Sequence, residues 1–177
     1  MCKGDKMLDD EKYMTLAMKE AEKAYLMGEV PIGAVLVDNE DGTVVSRGHN
    51  LRETRQDATA HAEMEAIRAA TAALQRWRLT GMTLYVTIEP CAMCAGALVN
   101  SRIDRLVYGS HESKFGAVES VFNVVSHRLL NHRIAVTAGV LEEECRRLMQ
   151  DFFKMRRQQN RAKKKASCQE ALPDSME

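Results

Sequence analysis

Three segments of the chain have the apolar spacing or alanine content of a helix. They are residues 9–27, 60–74 and 141–165. Gly28 follows the first segment and is typical of a helix C-terminus, and Thr59 precedes the second as a plausible N-cap. A shorter helix is expected from Pro90 through about Val99, because proline is favoured in a first helical turn. The pattern therefore predicts four main helices.

Runs rich in β-branched and aromatic residues predict five strands. They are residues 30–37, 43–49, 82–88, 103–108 and 134–140. The turn at 38–42 joins the first two as an antiparallel hairpin, whereas the later strands are joined through helices and are expected to be parallel. Gly109 is expected to close the fourth strand, and a helical turn near 118–125 to interrupt a loop. The order predicts an α/β fold of three layers, α-β-α, with a five-stranded mixed sheet.

Length and composition are those of a globular protein with one core. The 177 residues, 45% hydrophobic and 28% charged, predict a single domain over residues 1–165 and a disordered tail over 166–177. The N-terminal segment is broken up by charges, and no apolar run approaches the ~18 residues of a membrane span. We therefore expect a cytoplasmic protein with no membrane partner.

Charge is unevenly distributed although the formal net charge is zero. Seven basic residues without an acid occupy residues 154–165: Lys154, Arg156, Arg157, Arg161, Lys163, Lys164 and Lys165. A basic stripe of this kind on a helix is typical of a nucleic-acid contact, although a solvated helix end has the same pattern.

Cysteine and histidine residues form a candidate metal site. Cys91 and Cys94 are separated by two residues at the start of a predicted helix, which places their sulfurs about one turn apart, and His61 begins another helix. An odd total of five cysteines in a chain without an export signal favours metal binding over disulfides. Three protein ligands leave a fourth position open, as in a catalytic zinc site. Cys145 lies on the apolar stripe of the last helix and is expected to be a buried core residue.

Two glutamates compete for the role of proton carrier beside this site. Glu65 is four residues from His61 and shares its helix face, whereas Glu63 is two residues away and converges with His61 only beyond the helix end. Spacing alone leaves both open. The combination of His-x-Glu with Pro-Cys-x-x-Cys is, however, the signature of zinc deaminases, in which the first glutamate is a proton shuttle. A redox pair, or half of a structural zinc site, remains the alternative for the cysteines.

The chain also resembles the bacterial tRNA-specific adenosine deaminases, the TadA family, over roughly residues 10–165. The stretches that carry the resemblance are residues 28–35, 48–50, 59–63, 84–97, 101–103, 131–133 and 151–157. The resemblance implies a cytidine-deaminase-like fold, a homodimer and one zinc ion per subunit. It further implies conversion of adenosine to inosine at the wobble position of a tRNA anticodon, usually that of an arginine tRNA.

The same resemblance suggests which residues contact the anticodon stem-loop: Asn50, Glu112, Asn131, Phe152, Phe153, Arg156 and Arg157. Asn50 would hydrogen-bond the flipped adenine, and residues 152–157 would hold the loop. Read without the resemblance, Asn50 is a polar residue after a strand and Phe152 belongs to the apolar stripe of the last helix. Phe153 beside that stripe is then the better candidate for a functional aromatic.

Two departures from the family pattern concern substrate contacts. Glu112 stands where relatives commonly have aspartate, and Glu119 lies in a stretch that is usually smaller and less charged. Two other functions stay open at this point: a deaminase of a small free substrate, and a non-enzymatic zinc module that binds RNA. The basic segment argues against the first. The second predicts that replacing Glu63 has no effect.

Overall fold

The computed structural model describes residues 8–170, with side chains through 164. Its elements are α1 (Asp10–Leu26), β1 (Gly33–Asp38), β2 (Val44–His49), α2 (Arg52–Arg55), α3 (Ala62–Leu74), β3 (Met82–Ile88), α4 (Ala92–Asn100), β4 (Arg105–Ser110), β5 (Ala135–Ala138) and α5 (Glu142–Glu170). The sheet order is β2-β1-β3-β4-β5. β1 is antiparallel to β2 and β3, while β3, β4 and β5 are parallel. The predicted five-stranded mixed sheet is confirmed.

Two layers of helices cover the sheet, and β3 shows how the sequence divides between them. Every residue of β3 is buried. Leu84 and Val86 join the core under α3 and α4, whereas Tyr85 between them joins the core under α1 and α5. Because side chains alternate between the faces of a strand, a continuous apolar run is what a strand covered on both sides requires. The three-layer arrangement is therefore confirmed as well.

Gly48 in β2 lets α3 lie directly on the sheet. A Cβ at this position would collide with the backbone of the first turn of α3, at the carbonyl oxygen of Ala62. The close approach fixes the start of α3 over the end of the hairpin. This matters for function, because the site residues are at that helix end.

Several element boundaries differ from the sequence-based expectation. β1 starts at Gly33 rather than residue 30, since Pro31 has no N–H to contribute to a strand ladder. β4 continues through Gly109 to Ser110, and β5 covers only Ala135–Ala138. The short helix α2 was not predicted, and residues 118–125 form turns and extended chain rather than helix.

The last helix is longer than predicted. α5 continues to Glu170, so the prediction of disorder from residue 166 is wrong for 166–170, while residues 171–177 lie outside the described part. Its exposed residues 156–164 include most of the basic segment. Among the described residues, no helix has the combined length and apolar character of a membrane span.

Candidate active site

Two helix N-termini meet at the candidate site. His61 is the N-cap of α3 and Cys91 is the N-cap of α4, both with extended backbone, and neither side chain caps its own helix. The expected N-cap Thr59 is wrong, because it lies two residues outside α3 and its hydroxyl donates to Asp57. Because the side chains of His61 and Cys91 do not cap their own helices, both can extend beyond the helix ends.

The structure brings His61, Cys91 and Cys94 together. Nδ1 of His61 lies 3.7 Å from Sγ of Cys91 and 3.6 Å from Sγ of Cys94. Ligand atoms about 3.6 Å apart are what tetrahedral zinc requires, given metal–sulfur and metal–nitrogen bonds of about 2.3 and 2.0 Å. Within residues 8–164, this is the one group of three or more histidine, cysteine or acidic side chains placed to hold a metal ion. The donor set and its spacing fit zinc.

The electrostatics of the group favour a cation. A hydrogen bond from Cys94, followed by the influence of His61, lowers the pKa of Cys91 to about 4. The Cys91 thiolate in turn raises the pKa of His61 and, together with burial, that of Cys94. These shifts favour a thiolate at Cys91 and keep a proton on Cys94. A divalent cation bound by both sulfurs would displace that proton.

The structure separates the two candidate glutamates. Glu63 is 4% exposed, and within the described part of the chain its Oε2 is the one buried side-chain oxygen or nitrogen without a hydrogen-bond partner. Burial raises the pKa of this carboxyl group. Glu65 instead pairs with Arg55 at 2.8 Å and Arg68 at 3.1 Å. Because His61 is the N-cap, Glu63 in the first turn can reach the same space beyond the helix end.

Comparison with known proteins identifies the family. The sequence model of the family of MafB19-like deaminases matches residues 8–157 of this chain. A tRNA-specific adenosine deaminase of Bacillus subtilis (strain 168) is 50% identical over 159 residues, covering 90% of this chain and 98% of that protein. The chain belongs to the tRNA-specific adenosine deaminases. The resemblance stated from the sequence is thereby confirmed.

Solved structures agree with this assignment of the deaminase. A structure from studies of A-to-I editing by tRNA:A34 deaminases at the wobble position of transfer RNA superposes with a TM-score of 0.74. It is 46% identical and covers 77% of this chain and 98% of its own. The guanine deaminase of Nitrosomonas europaea reaches a TM-score of 0.69 at 23% identity, over 82% and 85% of the two chains. That similarity shows the shared fold, and together with the 46% identical structure it confirms the predicted cytidine-deaminase-like fold.

Asn50 of this deaminase is held by a buried acid that the sequence analysis missed. Asn50 is 4% exposed and its Nδ2 donates to Oε2 of Glu29 at 3.0 Å. Glu29 also accepts the backbone N–H groups of Glu53 and Thr54 in α2. Burial opposes ionisation of Glu29, but the hydrogen bonds from Thr54 and Glu53 outweigh it and lower the pKa. Since a carboxylate only accepts hydrogen bonds, Glu29 fixes the orientation of the Asn50 amide.

A second missed acid, Glu89, directly precedes Pro90 and Cys91. Its side chain is completely buried, and it accepts backbone N–H groups from Glu112 and from residues 118–120. Burial opposes its charge, yet these hydrogen bonds lower the pKa of Glu89 to about 2. An acid at the end of a fully buried strand was the available signal for it.

Three of the expected RNA contacts line one groove of about 680 Å³: Glu112, Phe153 and Arg157. Asn50 is described above, and the remaining three expected contacts lie outside this groove. Phe152 is 2% exposed and packs edge-on against Tyr25, so its side chain is core and the expectation of an RNA contact is corrected. Asn131 is exposed and accepts a hydrogen bond from Arg102 at 2.7 Å. Arg156 is exposed on α5 but does not line the groove.

Proposed function

We propose that this protein converts adenosine to inosine at the wobble position of a tRNA anticodon, with an arginine tRNA as the expected substrate. Hydrolysis would consume one water and release ammonia. The observation that carries the proposal is the unpartnered, buried Oε2 of Glu63 next to the His61, Cys91 and Cys94 group. The names of the relatives support the substrate.

His61, Cys91 and Cys94 would hold one zinc ion per subunit, with a fourth position left for the reaction. Zinc in such a site supplies Lewis-acid chemistry and lowers the pKa of bound water to about 7. The protein's own contribution is to hold two sulfurs and one nitrogen at fixed spacing. The N-terminus of α4 favours the thiolate form of Cys91.

Glu63 would carry protons during the reaction. Its carboxylate would take one proton from the attacking water and deliver it to the ring nitrogen of adenine, and would then carry the second water proton from the new C6 hydroxyl to the departing amine. Burial raises the pKa of Glu63 in the direction of neutral pH. A group whose pKa is close to the working pH can both accept and donate a proton. The oxygen of water ends on C6 and the amine leaves as ammonia.

Asn50 would read the flipped base. Its Nδ2 is engaged by Glu29, so its Oδ1 faces away from that carboxylate and can accept a hydrogen bond from the adenine edge. One amide N–H also remains for a ring nitrogen. Asn50 therefore offers adenine both an acceptor and a donor in one fixed orientation.

The groove beside α5 would receive the nucleotides around the base. Phe153 is 43% exposed and can stack on an unpaired base, while Arg157 can meet a phosphate. Glu112 lines the same groove, and Arg156 and Asn131 are proposed as outer contacts. A tRNA substrate also places the proposed activity in the cytoplasm.

We further propose that the protein is a homodimer, as the family resemblance implies. Among the side chains that the structure describes, five of the nine large apolar ones that are exposed come from residues 115–130: Phe115, Val121, Phe122, Leu129 and Leu130. A concentration of apolar side chains on a surface supports a protein partner. Sedimentation of the full chain should give twice the monomer mass, and a monomer at micromolar concentration would contradict the dimer.

A substrate series tests the proposed reaction. An anticodon stem-loop with adenosine at the wobble position should be deaminated fastest, because its target base is already unpaired and costs little to flip. Free adenosine, free cytidine and duplex RNA should be poor substrates at equal enzyme concentration. Ammonia release would be followed over time. Fast turnover of a free nucleoside with the stem-loop inert would assign the protein to small-molecule deaminases.

The exposed basic end of α5 should contribute salt-dependent binding. Replacing Arg161, Lys163 and Lys164 with glutamine should weaken tRNA binding and reduce the slope of log affinity against log salt by about 2, or ~0.7 for each lost phosphate contact. Glutamine preserves helix propensity, so only charge changes. Filter binding between about 50 and 200 mM salt measures the slope.

The matched control removes three exposed charges elsewhere, at Lys12, Lys19 and Arg76. It lowers the net charge equally but leaves α5 intact. The control should keep the slope of the unmodified protein. Equal slopes in the two triple variants would mean that the basic end of α5 is only a solvated helix terminus.

A further inference from the structure

Glu89 concentrates five hydrogen bonds on one buried carboxylate. Its Oε1 accepts the backbone N–H groups of Val118, Glu119 and Ser120 at 3.1, 2.8 and 2.9 Å. Its Oε2 accepts the N–H of Glu112 at 3.0 Å and the hydroxyl of Ser120. All five donors come from residues 112–120, which contain no regular helix or strand.

A buried carboxylate is costly unless it is hydrogen-bonded. Here every donor to the side chain is supplied by a single loop, and three consecutive N–H groups of that loop converge on one oxygen. Such a concave array of N–H groups is an anion-binding arrangement. The conformation of residues 112–120 and the burial of Glu89 therefore depend on each other.

Gly116 provides independent evidence that the loop is fitted to this carboxylate. A Cβ at Gly116 would collide with Oε2 of Glu89 and the carbonyl oxygen of Glu112. The backbone of Gly116 also forms a bridge with Cys91, and the N–H of Ala117 donates to the carbonyl of Pro90 at 2.8 Å. The loop is thus joined to the turn that carries a proposed zinc ligand.

The start of the same loop forms a wall of the groove beside α5. Residues 110–114 line the groove on one side, and Phe153 and Arg157 line it from α5. Ile88, directly before Glu89, lines it too. Displacing residues 112–120 would therefore change the shape of the groove, while Cys94 stays in the first turn of α4 and Cys91 at its N-cap.

We propose that Glu89 is a positioning residue, which holds residues 112–120 against the Cys91 turn and so sets the shape of the groove that receives the tRNA. This inference rests on the proposed function for its substrate. Glu89 does not touch the reacting atoms. Its loss is expected to affect substrate binding far more than the chemical step.

Glu89→Gln is the sharpest variant. With the amide NH2 at the Oε1 position, three backbone N–H groups lose their acceptor; at the Oε2 position, the N–H of Glu112 loses its acceptor while the Ser120 hydroxyl can turn to accept. One to three of the five hydrogen bonds are therefore lost without a change in size. We expect KM for the stem-loop to rise about 10-fold or more, kcat to change less than about 3-fold, and zinc content to remain full. Gly116→Ala keeps Glu89 but places a methyl group against its carboxylate. It should also raise KM, with little change in kcat and with full zinc content.

Asp10→Asn is the matched control. Asp10 pairs with Arg105 at 2.7 Å, at the start of β4 and thus at the opposite end of the sheet from Cys91. This variant also removes a partly buried acid from a hydrogen-bonded pair. It should leave KM for the stem-loop and hydrogen exchange in residues 112–120 unchanged.

Hydrogen–deuterium exchange gives a readout that does not depend on activity. In Glu89→Gln and Gly116→Ala, the amides of Glu112 and residues 118–120 should exchange faster than in the unmodified protein, with α1 unchanged.

If the unmodified protein fails to deaminate the stem-loop, the proposed function fails, while hydrogen exchange still tests whether Glu89 holds the loop. Unchanged exchange in both variants, or a fall in kcat at constant KM, would overturn the positioning role. Should Glu89→Gln not fold, Gly116→Ala decides by the same measurements.

Discussion

Replacing Glu63 with glutamine is expected to lower kcat/KM for the tRNA substrate by about 100- to 10,000-fold, or about 3 to 5 kcal/mol of transition-state stabilisation. Glutamine has nearly the same size but cannot accept and return a proton. Because Oε2 of Glu63 has no hydrogen-bond partner, an amide group at that position breaks no hydrogen bond of this atom. Folding and zinc content should therefore be retained, as measured by circular dichroism and metal analysis.

Glu65→Gln is the matched control for this prediction. The two residues are on the same helix, two positions apart, and the substitution is identical. Glu65 is engaged by Arg55 and Arg68 near the surface, where such pairs contribute little to stability. This variant should keep most of the rate. If Glu65→Gln were the more damaged of the two, the assignment of the proton carrier would be wrong.

Replacing any one of His61, Cys91 and Cys94 with alanine is expected to remove both zinc and activity. One zinc ion per chain should be found in the unmodified protein. With only two ligands left, the loss of affinity should exceed the roughly 10- to 100-fold that is typical when an outer partner of a ligand is removed. Metal analysis after dialysis measures the zinc directly.

Cys145→Ala serves as the cysteine control. Cys145 is 1% exposed and packs in the core under α1 and α5, where burial raises the pKa of its thiol to about 12. Its loss should cost about 1 kcal/mol of stability, as a typical substitution does, and leave zinc in place. Full zinc in Cys91→Ala, or loss of zinc in Cys145→Ala, would contradict the proposed ligand set.

The sheet could be predicted because its strands show clear patterns: either a continuous apolar run, as in a strand covered on both faces, or an alternation of apolar and polar residues. The run Met82–Ile88 is apolar almost throughout, and the hairpin before it has an obvious polar turn. Helix boundaries were less predictable where tertiary contacts override local propensity. Thr59 is a good N-cap by residue type, yet the close approach of Gly48 to α3 and the role of His61 at the helix end place the cap two residues later.

The metal group could be predicted because its residue types and spacing are restrictive. Choosing between Glu63 and Glu65 required the motif, since helix spacing alone left both open. Glu29 and Glu89 could not be found by spacing, because their partners are backbone N–H groups 23 to 31 residues away. The burial of Phe152 beside the exposed Phe153 likewise depends on Tyr25 of α1.

The most direct test of the proposed function is to locate inosine in a tRNA treated with the purified protein. A tRNA with adenosine at the wobble position would be incubated with the unmodified protein and with Glu63→Gln, digested, and analysed by mass spectrometry of its fragments. The unmodified protein should convert that one adenosine to inosine, with adenosines of the stems unchanged, and Glu63→Gln should convert it at least about 100-fold more slowly. Absence of inosine from the anticodon fragment, or conversion spread over other positions, would contradict the proposed function.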